Sequence, residues 1–167
     1  MKKIIVLILA LCMVAGLQTM YAQETKEPVK IYNPQANARE DINKAIVKAK
    51  AENKHVIIQV GGNWCGWCIK FHAYINEDPE ISKIIADNFV FTLLNYSTEN
   101  KNKEILTEYR NPGRLGFPVF LILDGNGQLI HTQDSGLLEE GNGYNKAKVM
   151  TFLNKWTYKA LDPTNFR

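Results

Sequence analysis

The stretch HVIIQVGGNWCGWCIKFHAYIN, residues 55–76, decides how this chain is read. His55 to Val60 is a short run rich in β-branched residues, which reads as a buried strand. Gly61-Gly62-Asn63 ends it, and a helix is predicted from about Cys65 to Asn76. Cys65 and Cys68 then share the first helical turn, a spacing at which they can form a disulfide. Cys65 lies at the helix N-terminus, where unpaired backbone N–H groups and the helix dipole favour a thiolate. A lowered thiol pKa makes that sulfur the nucleophile near neutral pH. Cys68, one turn deeper, is the natural resolving thiol.

Outward from this stretch the elements alternate. A helix is predicted over about 36–53, with Ile42, Ala45, Ile46 and Ala49 on its buried face and Lys44, Lys48 and Lys50 solvated. Asp78-Pro79-Glu80 reads as an N-cap followed by proline at the first helical position, opening a short helix to about Asp87. Phe89 to Leu94 is a predicted strand, and Lys101 to Tyr109 a predicted helix stopped by Asn111-Pro112-Gly113. Val119 to Leu123 and Gln128 to Thr132 form a predicted hairpin about Asp124-Gly125-Asn126-Gly127. The last helix is predicted over 145–160, with Val149, Phe152, Leu153 and Trp156 on one face. Val29 to Tyr32 is read as a short edge strand within a polar lead-in segment, 23–35. Early alternation and a late hairpin imply an α/β fold, a mixed central sheet with helices on both faces, over residues 36–167.

The chain has 167 residues, a net charge of +3 and a hydrophobic fraction of 46%, which suits one globular domain and gives no nucleic-acid footprint. Met1-Lys2-Lys3 followed by the 12 apolar residues Ile4–Ala15 reads as a signal peptide, 1–22, with cleavage after Ala22. The run is too short for a transmembrane helix of roughly 20 residues. Cleavage removes Cys12 and leaves Cys65 and Cys68 in an oxidising compartment. The expected location is periplasmic or secreted. The tail Thr164-Asn165-Phe166-Arg167 carries no endoplasmic-reticulum retention signal.

Residues from about Lys54 to Gly136 resemble the thioredoxin family. The resemblance rests on HVIIQV, on Asn63-Trp64-Cys65-Gly66-Trp67-Cys68, on Gly116-Phe117-Pro118-Val119 and on the Asp124–Gly127 turn. Asp78-Pro79-Glu80-Ile81 and Asn88-Phe89-Val90 look like the secreted thioredoxin-like subgroup that includes the C-terminal domain of a periplasmic disulfide reductase. The resemblance implies a thioredoxin fold and a cis peptide bond before Pro118, beside the active disulfide. It also implies that the Phe117 backbone pairs with a bound peptide. Two positions depart from the pattern. Gln59 stands where the family carries a buried Asp that moves protons at the deeper thiol, so another group or water must do so. Gly66-Trp67 replaces the usual Gly-Pro.

Cys65 and Cys68 are thus the expected catalytic pair, and Trp64, Gly66, Trp67, Phe117 and Pro118 the expected substrate-binding residues. Bland alternatives stay open: a structural disulfide, or half of a zinc site with His72. Structural zinc needs four ligands, however, and no second C-x-x-C is present. His72 is read as an ordinary surface residue, and Lys70 as solvated. Asn95-Tyr96-Ser97 is read as a sequon or a strand end. The expected activity is thiol–disulfide exchange on protein disulfides, in the reducing direction, fed by a membrane-bound electron donor. No metal or organic cofactor is expected. Oxidase, isomerase and a non-catalytic binding module of the same fold are the rivals.

Overall fold

Strand β1 (His55–Gly61) is buried along its whole length, and the molecule is built on it. The computed structural model describes residues 28–166. The predicted signal peptide, 1–22, and residues 23–27 of the lead-in segment lie outside the described residues. Around β1 the chain order is α1 (Ala38–Glu52), β1, α2 (Gly66–Glu77), α3 (Pro79–Asn88), β2 (Phe89–Asn95), α4 (Lys103–Glu108), β3 (Val119–Leu123), β4 (Leu129–Asp134), β5 (Glu139–Glu140), β6 (Gly143–Tyr144) and α5 (Lys146–Lys155).

The main sheet has the order β2-β1-β3-β4. β1 pairs parallel with β2 and antiparallel with β3, and β3 pairs antiparallel with β4. Side chains alternate across such a sheet, and the two central strands feed two cores. Val56, Ile58, Val60, Val119, Leu121 and Leu123 face α1 and α4. Ile57, Phe120 and Ile122 face α2, α3 and α5. This explains why both strands read as continuous apolar runs rather than alternating ones.

Local chemistry sets the ends of the helices. Asn37 caps α1 by accepting from the Glu40 N–H at 3.2 Å, and α1 stops at Asn53 in the left-handed region at φ 52°. Asp78 caps α3 by accepting from the Glu80 and Ile81 N–H groups, with Pro79 at the first turn. The hairpin turn closes as expected. Asp124 Oδ1 accepts from Asn126 and Gln128 N–H, and Gly127 takes φ +80°, where side chains are strained.

Four expectations need correction. Residues 29–32 form no strand; the Ile31 and Tyr32 N–H groups donate to the Asn63 side-chain oxygen, each at 2.9 Å, instead of to a neighbouring strand. α4 is shorter than predicted at both ends: Asn102 takes positive φ directly before it, and Arg110 and Asn111 do so just past its C-cap, Tyr109. The last helix ends at Lys155, where the Trp156 carbonyl is engaged by His55 Nδ1 at 2.8 Å; a separate 3₁₀ turn, Lys159–Leu161, follows. The small β5–β6 hairpin was not foreseen. Two-residue strands carry too little periodicity to be read from sequence.

Candidate active site

Cys65 is the N-cap of α2, and its sulfur accepts a hydrogen bond from the Cys68 N–H at 3.1 Å. The two sulfurs are bonded to each other. Cys65 is 5% exposed and Cys68 fully buried, so the only sulfur a partner can approach is that of Cys65. The Phe117–Pro118 bond is cis, as the resemblance implied, and Phe117 packs against the cysteine cluster.

Aromatic rings flank the disulfide on two sides. Trp64 is 58% exposed, meets Phe117 edge-on at 5.5 Å, and donates from Nε1 to the Tyr96 carbonyl at 2.7 Å. Tyr96 in turn stacks on Phe117 at 4.9 Å. On the other side Trp67 meets Tyr144 edge-on at 5.5 Å, and the Tyr144 hydroxyl donates to the Trp67 carbonyl at 3.2 Å. Lys70 is not simply solvated: its ammonium lies 4.3 Å over the Trp67 ring and donates to the Asn142 carbonyl. Gly66 is exposed, and a β-carbon there would meet nothing, so steric room does not explain glycine at this position. A cleft of about 820 Å³ opens beside Trp64, between the lead-in segment and the loop after β2; neither cysteine lines it.

Gly61, by contrast, is required by space. A β-carbon there would lie 2.4 Å from the Cys68 sulfur and 2.7 Å from the Tyr32 hydroxyl, and both of those side chains are buried. Gly61→Ala is expected to destabilise the oxidised protein by about 1–3 kcal/mol, the usual cost of overpacking, measured as a fall in thermal midpoint.

The floor of the site holds Gln59, fully buried on the α2 face of the sheet. Its Nε2 donates to the Tyr32 hydroxyl at 2.7 Å and to the Cys68 carbonyl at 3.0 Å, while its Oε1 has no partner. Burial pushes the Tyr32 phenol well above its ordinary pKa. His72 departs from the surface reading. It is half-buried and lines one cleft with Ile31 and Tyr32 of the lead-in segment, its Nδ1 has no partner, and burial holds its pKa below the usual histidine value. Asn95 is buried, and its amide donates to Ser97 Oγ and the Asn100 carbonyl, so it acts as a strand end and is closed to glycosylation. Among the described residues no group of three or more His, Cys, Asp or Glu is arranged to hold a metal ion. No described helix is long and apolar enough to cross a membrane.

The sequence reading thus named the residues around the disulfide, and the structure brings all seven into one region. It missed the partners that hold them: Tyr32, Asn63, Tyr96 and Tyr144. Tyr32 reaches Gln59 across 27 positions and Tyr144 reaches Trp67 across 77, and no local pattern marks such contacts.

A family model described as thioredoxin-like matches residues 36–125. The thiol:disulfide interchange protein DsbD of Escherichia coli O6:K15:H31 is 31% identical over 129 residues, which cover 75% of this chain and 22% of that protein. The chain therefore spans about a fifth of the length of the curated relatives it matches. Among solved structures, a disulphide isomerase from Xylella fastidiosa Temecula1 superposes with a TM-score of 0.67 at 21% identity, covering 76% of this chain and 96% of that one. A thioredoxin from Thermus thermophilus gives a TM-score of 0.51 at 19% identity, over 68% and 81% of the respective chains.

Proposed function

The chain belongs to the thioredoxin-like family, and from that premise we propose that it is a thiol–disulfide oxidoreductase that reduces disulfides in other proteins. The observation that carries this reading is a C-x-x-C disulfide at the N-terminus of α2, with Cys65 slightly exposed and Cys68 fully enclosed, packed against Phe117. Cys65 acts as the nucleophile. Its thiolate is supported by the Cys68 N–H and by the helix N-terminus. It attacks a substrate disulfide, forms a mixed disulfide and expels the first substrate thiol. Cys68 then attacks the Cys65 sulfur, expels the second substrate thiol and leaves the Cys65–Cys68 bridge.

Trp64, Gly66, Trp67, Phe117 and Pro118 form the substrate surface. Exposed aromatic faces beside a bare Gly66 suit extended or unfolded segments, which offer apolar side chains and a free backbone edge. The Phe117 backbone pairs with that edge. The location is periplasmic or secreted, on the reading of 1–22 as a signal peptide. Electrons come from a membrane-bound donor, since in an oxidising compartment the spent bridge must be reopened. The likeness to part of a protein named for thiol:disulfide interchange supports exchange chemistry at this pair; the reducing direction rests on the resemblance to the secreted reductase subgroup.

The test is the reduction potential of the Cys65–Cys68 pair, by equilibration with glutathione or dithiothreitol. The expected value is near that of reducing thioredoxins, about −270 mV. A value near about −120 mV would make the protein an oxidase. A pair that resists exchange would make it a binding module.

A further inference from the structure

Gln59 cannot ionise, so the buried thiol needs another partner. We infer that the Tyr32 hydroxyl is that partner: it donates a hydrogen bond to the Cys68 sulfur when the Cys65–Cys68 bond opens, oriented by Gln59 and admitted by the bare Gly61. The inference rests on the dithiol reading above and adds residues that reading does not use.

Donor counting fixes the direction. The Cys68 carbonyl can only accept, so the end of the Gln59 amide that faces it at 3.0 Å is the NH₂. The same NH₂ donates to Tyr32 Oη at 2.7 Å, so the phenol oxygen accepts there and its own hydrogen is left over. Tyr32 is 4% exposed, too buried to spend that hydrogen on bulk water. The phenol oxygen and the Cys68 sulfur both lie within 3 Å of one point, the place a Gly61 β-carbon would take, at 2.7 and 2.4 Å. Tyr32 itself is held by Asn63, whose side chain accepts from the Tyr32 N–H and donates to the Tyr32 carbonyl.

The charge balance calls for such a donor. The sulfur sits among the apolar and aromatic side chains of Tyr32, Cys65, Ile31, Trp67, Leu93 and Phe117. Lys70, whose ammonium lies over the Trp67 ring, His72, one turn further along α2, and Tyr144, bonded to the Trp67 carbonyl, are titratable groups on the elements around it. When Cys68 attacks the Cys65 sulfur it must first give up its proton, which ends on the departing substrate thiol. In that interval the negative charge is buried, and a hydrogen bond from a neutral O–H stabilises it. A phenol with a raised pKa keeps its proton throughout, so it acts as a donor and not as a base.

Fully reduced protein can be mixed in a stopped-flow instrument with an aromatic disulfide whose thiol product absorbs visible light. The first thiol released reports attack by Cys65, and the second reports attack by Cys68. Tyr32→Phe keeps the ring and removes the hydroxyl. In this variant the first phase should stay within about twofold of wild type. The second should slow about tenfold at neutral pH, the worth of one charge-assisted hydrogen bond. Its pH midpoint should move up by about one unit, so that the deficit disappears in alkali. Gln59→Leu should slow the second phase in the same direction, by less. An unchanged second phase and pH midpoint in Tyr32→Phe would overturn the inference. So would equal slowing of both phases with a lowered melting temperature, which would make Tyr32 a packing residue. Wild-type protein that releases neither thiol would overturn the dithiol reading itself.

Discussion

Cys65→Ser should reduce disulfide turnover by roughly three orders of magnitude or more, to the level of uncatalysed exchange. Cys65 is the member of the pair with any exposure, and a serine hydroxyl at the same N-cap is not ionised near neutral pH. The fold should survive, because Ser is a preferred N-cap and can accept the same N–H. Cys68→Ser should lower turnover as far, by a different route. Cys65 still attacks, no second thiol resolves the product, and a one-to-one mixed disulfide accumulates. Non-reducing electrophoresis after incubation with a disulfide-bonded protein separates the two: an adduct for Cys68→Ser and none for Cys65→Ser. An active Cys65→Ser variant, or an adduct formed through Cys68, would sink the assignment. The asymmetry follows from burial: a fully enclosed Cys68 meets the Cys65 sulfur far more readily than any external disulfide.

What was legible in the sequence was whatever is written locally. HVIIQV shows a buried strand because its four apolar residues, Val56, Ile57, Ile58 and Val60, each pack on one of two cores. Asp78-Pro79 shows a helix start because cap and first turn are adjacent in sequence. The C-x-x-C is legible because strand, turn and helix follow one another within 23 positions, 55–77. What was not legible is the support of the site, which comes from chain far away. The lead-in segment alternates like an edge strand but spends its N–H groups on Asn63, and so delivers Tyr32 to the back of the disulfide. The β5–β6 hairpin is too short to show a period, yet it carries the Tyr144 that touches Trp67 and Phe71. His72 looked like a surface residue because the rest of α2 gives no sign that the lead-in segment comes to share a cleft with it. A residue whose role depends on closure of the fold leaves no mark on its neighbours in sequence.

The second large effect is expected where the site meets the core. Phe71 lies one turn after Cys68 on α2 and is 1% exposed. Its ring lies 4.3 Å from that of Phe120, in the middle of the sheet, and 4.9 Å from that of Tyr144. It is thus the point at which the cysteine-bearing helix is fastened to β3 and to the β5–β6 hairpin at once. Phe71→Ala removes the ring from both contacts and leaves a cavity that strand and helix cannot close without moving. Such truncations cost about 3–5 kcal/mol, a large part of the roughly 5–15 kcal/mol that holds a domain folded. Urea unfolding should show a lower midpoint with an unchanged slope, since the surface exposed on unfolding is nearly the same. Phe71→Leu, which fills most of the space, should lose less. The folded fraction of Phe71→Ala should still form mixed disulfides, because Cys65 keeps its place at the end of the helix. A loss below about 1 kcal/mol would mean that the core relaxes around the gap, and that the C-x-x-C helix is held by its other buried residues, Cys68 and Ile75, rather than by this ring.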